Sequence, residues 1–228
     1  MQIKGRNIIL RDFMESDIEK RIYWETVETE WQQWDAPWEY EGLSEAEKKE
    51  ELENYITSLK RWMDQDRALI EEEMQRENGM KAGVLESTEV QKQEKVRYRF
   101  QIALNNESSD YIGWCTAYCI DEDYSYTDEE GFCTIGINLP EVDVRGKGYA
   151  TEALCMFIAY LLEHGERPIF TQTWSGNNRM IHVAEKIGFK ECRRKKDLRK
   201  VRGQHYDGLT FKLDEEKFWA FFAINHFR

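Results

Sequence analysis

Arg145-Gly146-Lys147-Gly148-Tyr149-Ala150-Thr151 is the segment whose residue types and spacing most clearly imply chemistry. Two glycines let a backbone turn tightly and come close to a ligand. The residues that follow begin an apolar helical pattern (Ala153, Leu154, Phe157, Ile158, Leu161, Leu162), and a strand-like run, Phe132 to Leu139, precedes them. The first N–H groups of a helix have no partner within it and carry the positive end of its dipole, so this turn suits an anion, a phosphate above all. Arg145 and Lys147 add positive charge to it. Neither G-x-x-x-x-G-K-S/T nor G-x-G-x-x-G occurs here, so the usual nucleotide fingerprints do not apply.

A second helix opens at Asn177 and closes at Gly188-Phe189. Asn177 is a natural N-cap, Met180, Ile181, Ala184 and Ile187 share a face, and Gly188 suits a left-handed C-cap. The elements that must position these two helices read as an α/β chain. Strands are expected over Asn7–Arg11, Tyr98–Leu104, Ile112–Ile120, Phe132–Leu139, Pro168–Trp174 and, C-terminally, 190–200 and 206–213. S-x-x-E spacing at Ser16–Glu19 and Ser44–Glu47 predicts capping boxes opening two earlier helices. Residues 64–95 are dense in Glu, Gln, Lys and Arg and read as a charged helical extension and solvated loop, an insertion within a single domain spanning 1–228.

The first loop resembles motif A of the GCN5-related N-acetyltransferases (GNAT), Q/R-x-x-G-x-G/A, in Arg145-Gly146-Lys147-Gly148-Tyr149-Ala150, and the run Asn177 to Phe189 resembles that family's Asn…Glu-Lys-x-Gly-Phe helix. The resemblance extends to a RimJ/RimL-like branch through Ile8–Arg11, Trp34–Trp38 and Arg202–Gly208. It implies a mixed sheet of about six to seven strands, splayed in the middle to admit acetyl-CoA as co-substrate. Residues 145–151 would then hold the pyrophosphate, Asn177 the pantetheine arm, and backbone groups of Ile137 and Leu139 the pantetheine and acetyl carbonyl. The implied reaction is direct attack of a primary amine on the thioester. Two positions depart from the family pattern: Ala184 stands where many members have a tyrosine, and Thr134 where many have a glutamate. Glu130 is then the candidate base, acting through a water, and His182 and His205 read as solvent-facing. The departures keep open a non-catalytic acyl-CoA-binding sensor or interaction protein.

The net charge of −12 is unevenly spread: residues 1–139 carry 16 basic and 32 acidic side chains, and residues 140–228 carry 16 and 12. Such a balance argues against a nucleic-acid partner or an anionic membrane surface. The absence of a long apolar run argues against a membrane span, and five scattered cysteines without a C-x-x-C pair suit a reducing cytoplasm with neither disulfide framework nor metal site. In the resembled family the acceptor enters beside the first helices, here the loop bearing Trp34, Trp38 and Glu41. Aromatic faces among carboxylates suit a cationic acceptor: a small-molecule polyamine or aminoglycoside, or a protein N-terminus. Homodimers are common in families of this type.

Overall fold

The computed structural model describes residues 1–81, 95–225 and 227. Its centre is one nine-stranded sheet, two strands more than the seven read from the sequence. The strands are β1 (Gln2–Lys4), β2 (Ile8–Arg11), β3 (Arg99–Leu104), β4 (Tyr111–Ile120), β5 (Tyr126–Thr127), β6 (Phe132–Asn138), β7 (Ile169–Trp174), β8 (Phe189–Val201) and β9 (Gln204–Leu213). They lie in the order β1-β2-β3-β4-β6-β7-β9-β8, with β5 paired to the far end of β4. The two unforeseen strands, β1 and β5, are short and largely exposed, so neither has the alternation that marks a half-buried strand. Every pairing is antiparallel except β6 with β7.

Among the described residues five α-helices cover the sheet: α1 (Asp17–Thr26), α2 (Glu45–Lys81), α3 (Tyr149–Glu163), α4 (Asn178–Ile187) and α5 (Glu215–Asn225). Helix α3 is buried from Thr151 to Leu162 and forms the middle of the main core with Ile8, Leu10, Phe100, Ile102 and Ile135 from the sheet. Phe218 and Phe222 of α5, a helix the sequence reading lacked, close the same core.

The opposite face of the sheet is aromatic and charged. Trp24 of α1 and Trp31 pack on Trp114 of β4, with Tyr40 and Tyr111 around them. The Arg21 guanidinium lies 3.4 Å from the Trp114 ring centroid, and that of Arg99 lies 4.7 Å from Trp62. Arg11 grips Asp17 through two bonds of 2.7 and 2.8 Å, and Asp17 Oδ2 also accepts the Met14 N–H at 2.9 Å. That carboxylate, not Ser16, organises the start of α1: Ser16 makes no side-chain cap bond. At Ser44 the expected box does form, with the Ser44 N–H donating to Glu47 at 2.8 Å.

The charged stretch after residue 63 is bound to the sheet by its charges. Asp66 is 5% exposed and accepts the Phe13 N–H at 3.0 Å. Glu73 pairs with the buried Arg97, which also holds Asp12 at 2.7 Å. Helix α2 thus continues to Lys81, and residues 82–94 of the insertion expected over 64–95 lie outside the described residues.

Two measurements check this account of the charged face. Asp17→Ala leaves Arg11 buried and unpaired, so urea unfolding should show a loss of about 3–5 kcal/mol. Glu25, beneath the Trp31–Tyr40 turns, has its carboxyl pushed up from 4.5 to about 7 by burial, with Arg21 and a Gln32 hydrogen bond pulling the other way. The folded chain therefore keeps a proton that the unfolded chain releases, and stability falls as pH rises between these values. Glu25→Gln should melt above the parent at pH 8, with the gap closing towards pH 5.

Candidate active site

The parallel pair β6–β7 is joined only from Cys133↔Ile169 to Ile135↔Thr171. Both strands continue, to Asn138 and Trp174, while their outer partners hold: Trp114↔Asn138 on one side and Trp174↔Gly208 on the other. The sheet therefore opens at its middle. A cavity of about 1010 Å³ passes through the gap, with Gly136 to Leu139 on one wall and Gln172 to Trp174 on the other. Ile137 and Leu139 thus line the gap, on a β6 edge that has left β7.

The turn before α3 forms one end of the cavity. Gly146 and Gly148 have φ of +72° and +86°, the left-handed region where a side chain is strained, and open space lies beside both. The first helical bond runs from the Glu152 N–H to the Gly148 carbonyl at 3.0 Å, so the N–H groups of Tyr149, Ala150 and Thr151 have no helical acceptor. All three residues line the cavity, as do Gly146 and Gly148, whereas exposed Lys147 does not. Arg145 has a different duty from the one its charge suggests. Its guanidinium is held by Glu30 and by the carbonyls of Leu139 (2.8 Å) and Pro140, so it straps the turn into shape. Arg179, His182 and Lys186 of α4 supply the further basic groups at this end.

Asn177 caps α4 as expected, its Oδ1 accepting the Met180 N–H at 3.1 Å. Its Nδ2 donates at 3.0 Å to the carbonyl of Trp34, which also accepts the Trp174 indole N–H at 2.9 Å. The aromatic loop, two 3₁₀ turns at Glu30–Gln33 and Pro37–Glu39, is thereby latched to β7 and α4. Both tryptophan faces expected to receive a cation already carry one: Arg179 lies 4.1 Å from the Trp34 ring and Arg199 lies 4.2 Å from that of Trp38. Glu41 lies outside the cavity lining and accepts the Arg202 N–H at 3.1 Å in the β8–β9 turn. Asp207 is likewise structural, binding Arg194 and the Asp197 N–H.

Glu130 is exposed and lies away from the cavity lining. The carboxyl that does line it is Asp35, whose Oδ2 accepts from the Asn138 amide at 2.9 Å. Asp35 is exposed to solvent, yet the protein packed near its carboxyl raises its pKa against the pull of that hydrogen bond. Nearby Tyr118 directs its hydroxyl to Gln172 Oε1 at 3.4 Å, and burial raises its pKa so that the phenol keeps its proton. Ala184 and Thr134 are buried: Ala184 packs in the main core, and the Thr134 hydroxyl donates to the Phe132 carbonyl at 3.2 Å. Sequence reasoning counted Asp35 only among the carboxylates of the aromatic loop, not as the candidate base, and missed Tyr118 as a site residue. The signal for Tyr118 was its even spacing from Trp114 and Thr116, whereas Asp35 is marked only by its place inside the aromatic loop.

A curated relative, the SPbeta prophage-derived uncharacterized N-acetyltransferase YokL of Bacillus subtilis (strain 168), is 33% identical over 83 residues, 36% of this chain. The match spans 45% of that protein, less than half its length. The solved ribosomal-protein-S5-alanine acetyltransferase of Vibrio fischeri superposes with a TM-score of 0.57 at 13% identity, covering 93% of this chain and 95% of its own. RimL, a ribosomal L7/L12 alpha-N-protein acetyltransferase solved with coenzyme A, gives a TM-score of 0.55 at 15% identity over 93% and 97%. At these identities the likeness is one of fold. The family model described as acetyltransferase (GNAT) domain matches residues 7–190, and the chain belongs to that family.

Proposed function

We propose that the chain moves the acetyl group of acetyl-CoA directly to a primary amine in the gap between β6 and β7. The observation that carries this reading is the continuity of the cavity. The helix start with its free N–H groups and the Asp35 carboxyl, with aromatic rings beside it, line one and the same cavity. The residues present fit a pyrophosphate-bearing co-substrate: free N–H groups at Tyr149 to Thr151, glycines that leave room for close approach, and basic side chains on α4. When bound, acetyl-CoA supplies a thioester carbonyl open to an amine.

The chain's own groups then have separate tasks. The turn from Gly146 to Thr151, with Lys186, binds phosphate oxygens, and the edge of β6 around Ile137 offers main-chain groups to an amide-bearing arm. Asn177 acts through the loop it latches, since its amide is committed at both ends. Asp35 attracts the ammonium form of the acceptor and takes its proton at Oδ1 or Oδ2; the raised pKa narrows the gap between base and ammonium. Tyr118 stays neutral and offers its hydroxyl as a hydrogen-bond donor to a leaving sulfur, with burial making it a weaker acid than a free phenol. The cationic character expected of the acceptor is thereby narrowed to one ammonium at Asp35, because the Trp34 and Trp38 faces are taken by the chain's own arginines. No helix among the described residues is long and apolar enough to cross a membrane.

Release of free coenzyme A thiol over a panel of amines tests the reading. Turnover with at least one amine is expected, and acetyl-CoA binding without turnover on any of them would instead establish a non-catalytic binder. Asp35→Asn should lower kcat/KM by about 10²-fold or more while calorimetric binding of acetyl-CoA is unchanged. It should also abolish the acid limb of the pH profile, along which the parent gains rate as Asp35 ionises. Gly148→Ala forces a side chain into a left-handed position at φ +86°; it should weaken acetyl-CoA binding by about tenfold, as ~1–2 kcal/mol of strain displaces the turn.

A further inference from the structure

The charge of the cavity wall contradicts the charge of the chain. Among the described residues that line it, Arg145, Arg179, Lys186, Lys195 and Arg199 are cationic and Asp35 is the one carboxylate. Arg145 and Arg179 are answered by Glu30, and Lys186 belongs to the helix-start end. Lys195 and Arg199 are different. They come from β8: Lys195 Nζ reaches the Ser125 hydroxyl at 3.4 Å, and the Arg199 guanidinium lies over Trp38, 4.2 Å from the ring centroid. Among the described residues neither forms an ion pair, in a chain with a twelve-charge acidic excess; Glu39, next to Trp38, is the carboxylate that acts on Arg199 at longer range.

Their placement is built into the backbone. The β8–β9 register jumps from Lys195↔Gly208 to Arg199↔Tyr206, so β8 bulges between them. Asp197 sits at the bulge with φ +51°, held by its N–H to Asp207 Oδ1 at 3.1 Å. Leu198 folds over Gly208, where a Cβ would lie 2.4 Å from its Cδ2. Bulges of this kind re-aim side chains beside sites. This one leaves Lys195, Leu198 and Arg199 on a single wall of the cavity.

Resting on the acetyl-transfer reading above, we infer that the acceptor is an amine that also bears a carboxylate, its ammonium at Asp35 and its carboxylate between Lys195 and Arg199. Arginine offers a planar fork for a carboxylate and the stacked Trp38 holds it in orientation, while lysine adds a mobile charge. The carbon skeleton between the two charged groups would lie against Trp38, Tyr118, Tyr124 and Leu198. A polyamine would set its second charge against two unpaired cations, which costs affinity.

The test pairs free L-amino acids with their C-terminal amides, and acidic peptides with their Asn/Gln counterparts, alongside spermidine, on the full chain. In at least one pair the carboxylate member should be favoured by about tenfold or more in kcat/KM, and which pair responds tells a free amino acid from a peptide N-terminus. Lys195→Gln with Arg199→Gln should bring the ratio near one by raising KM while kcat holds, with Lys195→Arg retaining the preference and thermal unfolding reporting an intact fold. Calorimetric titration of the same carboxylate amine into the chain saturated with coenzyme A should show the same loss. A preference for amides or spermidine, or one that survives the double substitution, overturns the inference and leaves acetyl transfer standing. If no amine is acetylated, the acetyl-transfer reading fails instead, and carboxylate-dependent binding in the titration judges the two cations alone; its absence overturns their role.

Discussion

Two neighbouring parallel strands that stop bonding to each other midway must be held apart, because separated strand edges expose main-chain donors and acceptors that favour closure or water. Here β6 and β7 part after Ile135 and Thr171, and each is held by the strand on its outer side. The gap is then spanned from one face by the aromatic loop. The Trp34 carbonyl is bound from the β7 side by Trp174 and Asn177, and Asp35, the next residue, is bound from the β6 side by Asn138. Two consecutive residues thus bridge the opening. From the other face the strap of Arg145, gripping Glu30 as well as the end of β6, ties the phosphate-type turn to the same loop. The cavity is the space these ties keep open.

The face that carries the loop is stabilised in an unusual currency for a protein interior. Arg11, Arg21, Arg97, Asp12, Asp17 and Asp66 are all nearly inaccessible to water. Most are paired, and Arg21 rests on Trp114 with two of its nitrogens lacking a hydrogen-bond acceptor among the described residues. Buried ionic groups of this sort contribute little net stability compared with apolar packing but penalise alternatives heavily. The main core around α3 supplies the apolar burial, leaving this second layer free to fix the direction of α1, α2 and the loop between them.

Much of this was legible in the sequence because it depends on neighbours along the chain. The two left-handed glycines, the Asn177 cap, the Gly188 terminus and the Ser44–Glu47 box are local devices, and the structure has each of them. What the sequence hid depends on distant partners. Ser16 and Glu19 have the spacing of a capping box, but Arg11 captures Asp17 first. Arg145 sits beside glycines whose turn suits an anion, but Glu30 and two carbonyls take its guanidinium. The cation-receptive look of Trp34 and Trp38 was genuine chemistry, already used internally by Arg179 and Arg199. Asp35 and Glu130 are equivalent as carboxylates in a list of residues; only folding puts one beside the gap and the other outside it.

The latch at residue 34 is made by a main-chain carbonyl, which every amino acid possesses. The side chain there can therefore be exchanged without losing this latch, and what it adds is separate: its indole N–H steadies Glu30 at 2.8 Å. The same holds for Leu198, whose place over Gly208 is set by the bulge and not by its own polarity. Recognition surface and supporting frame are thus separable in this molecule, so drift in the wall residues can retarget the pocket while the opening between the strands is inherited intact.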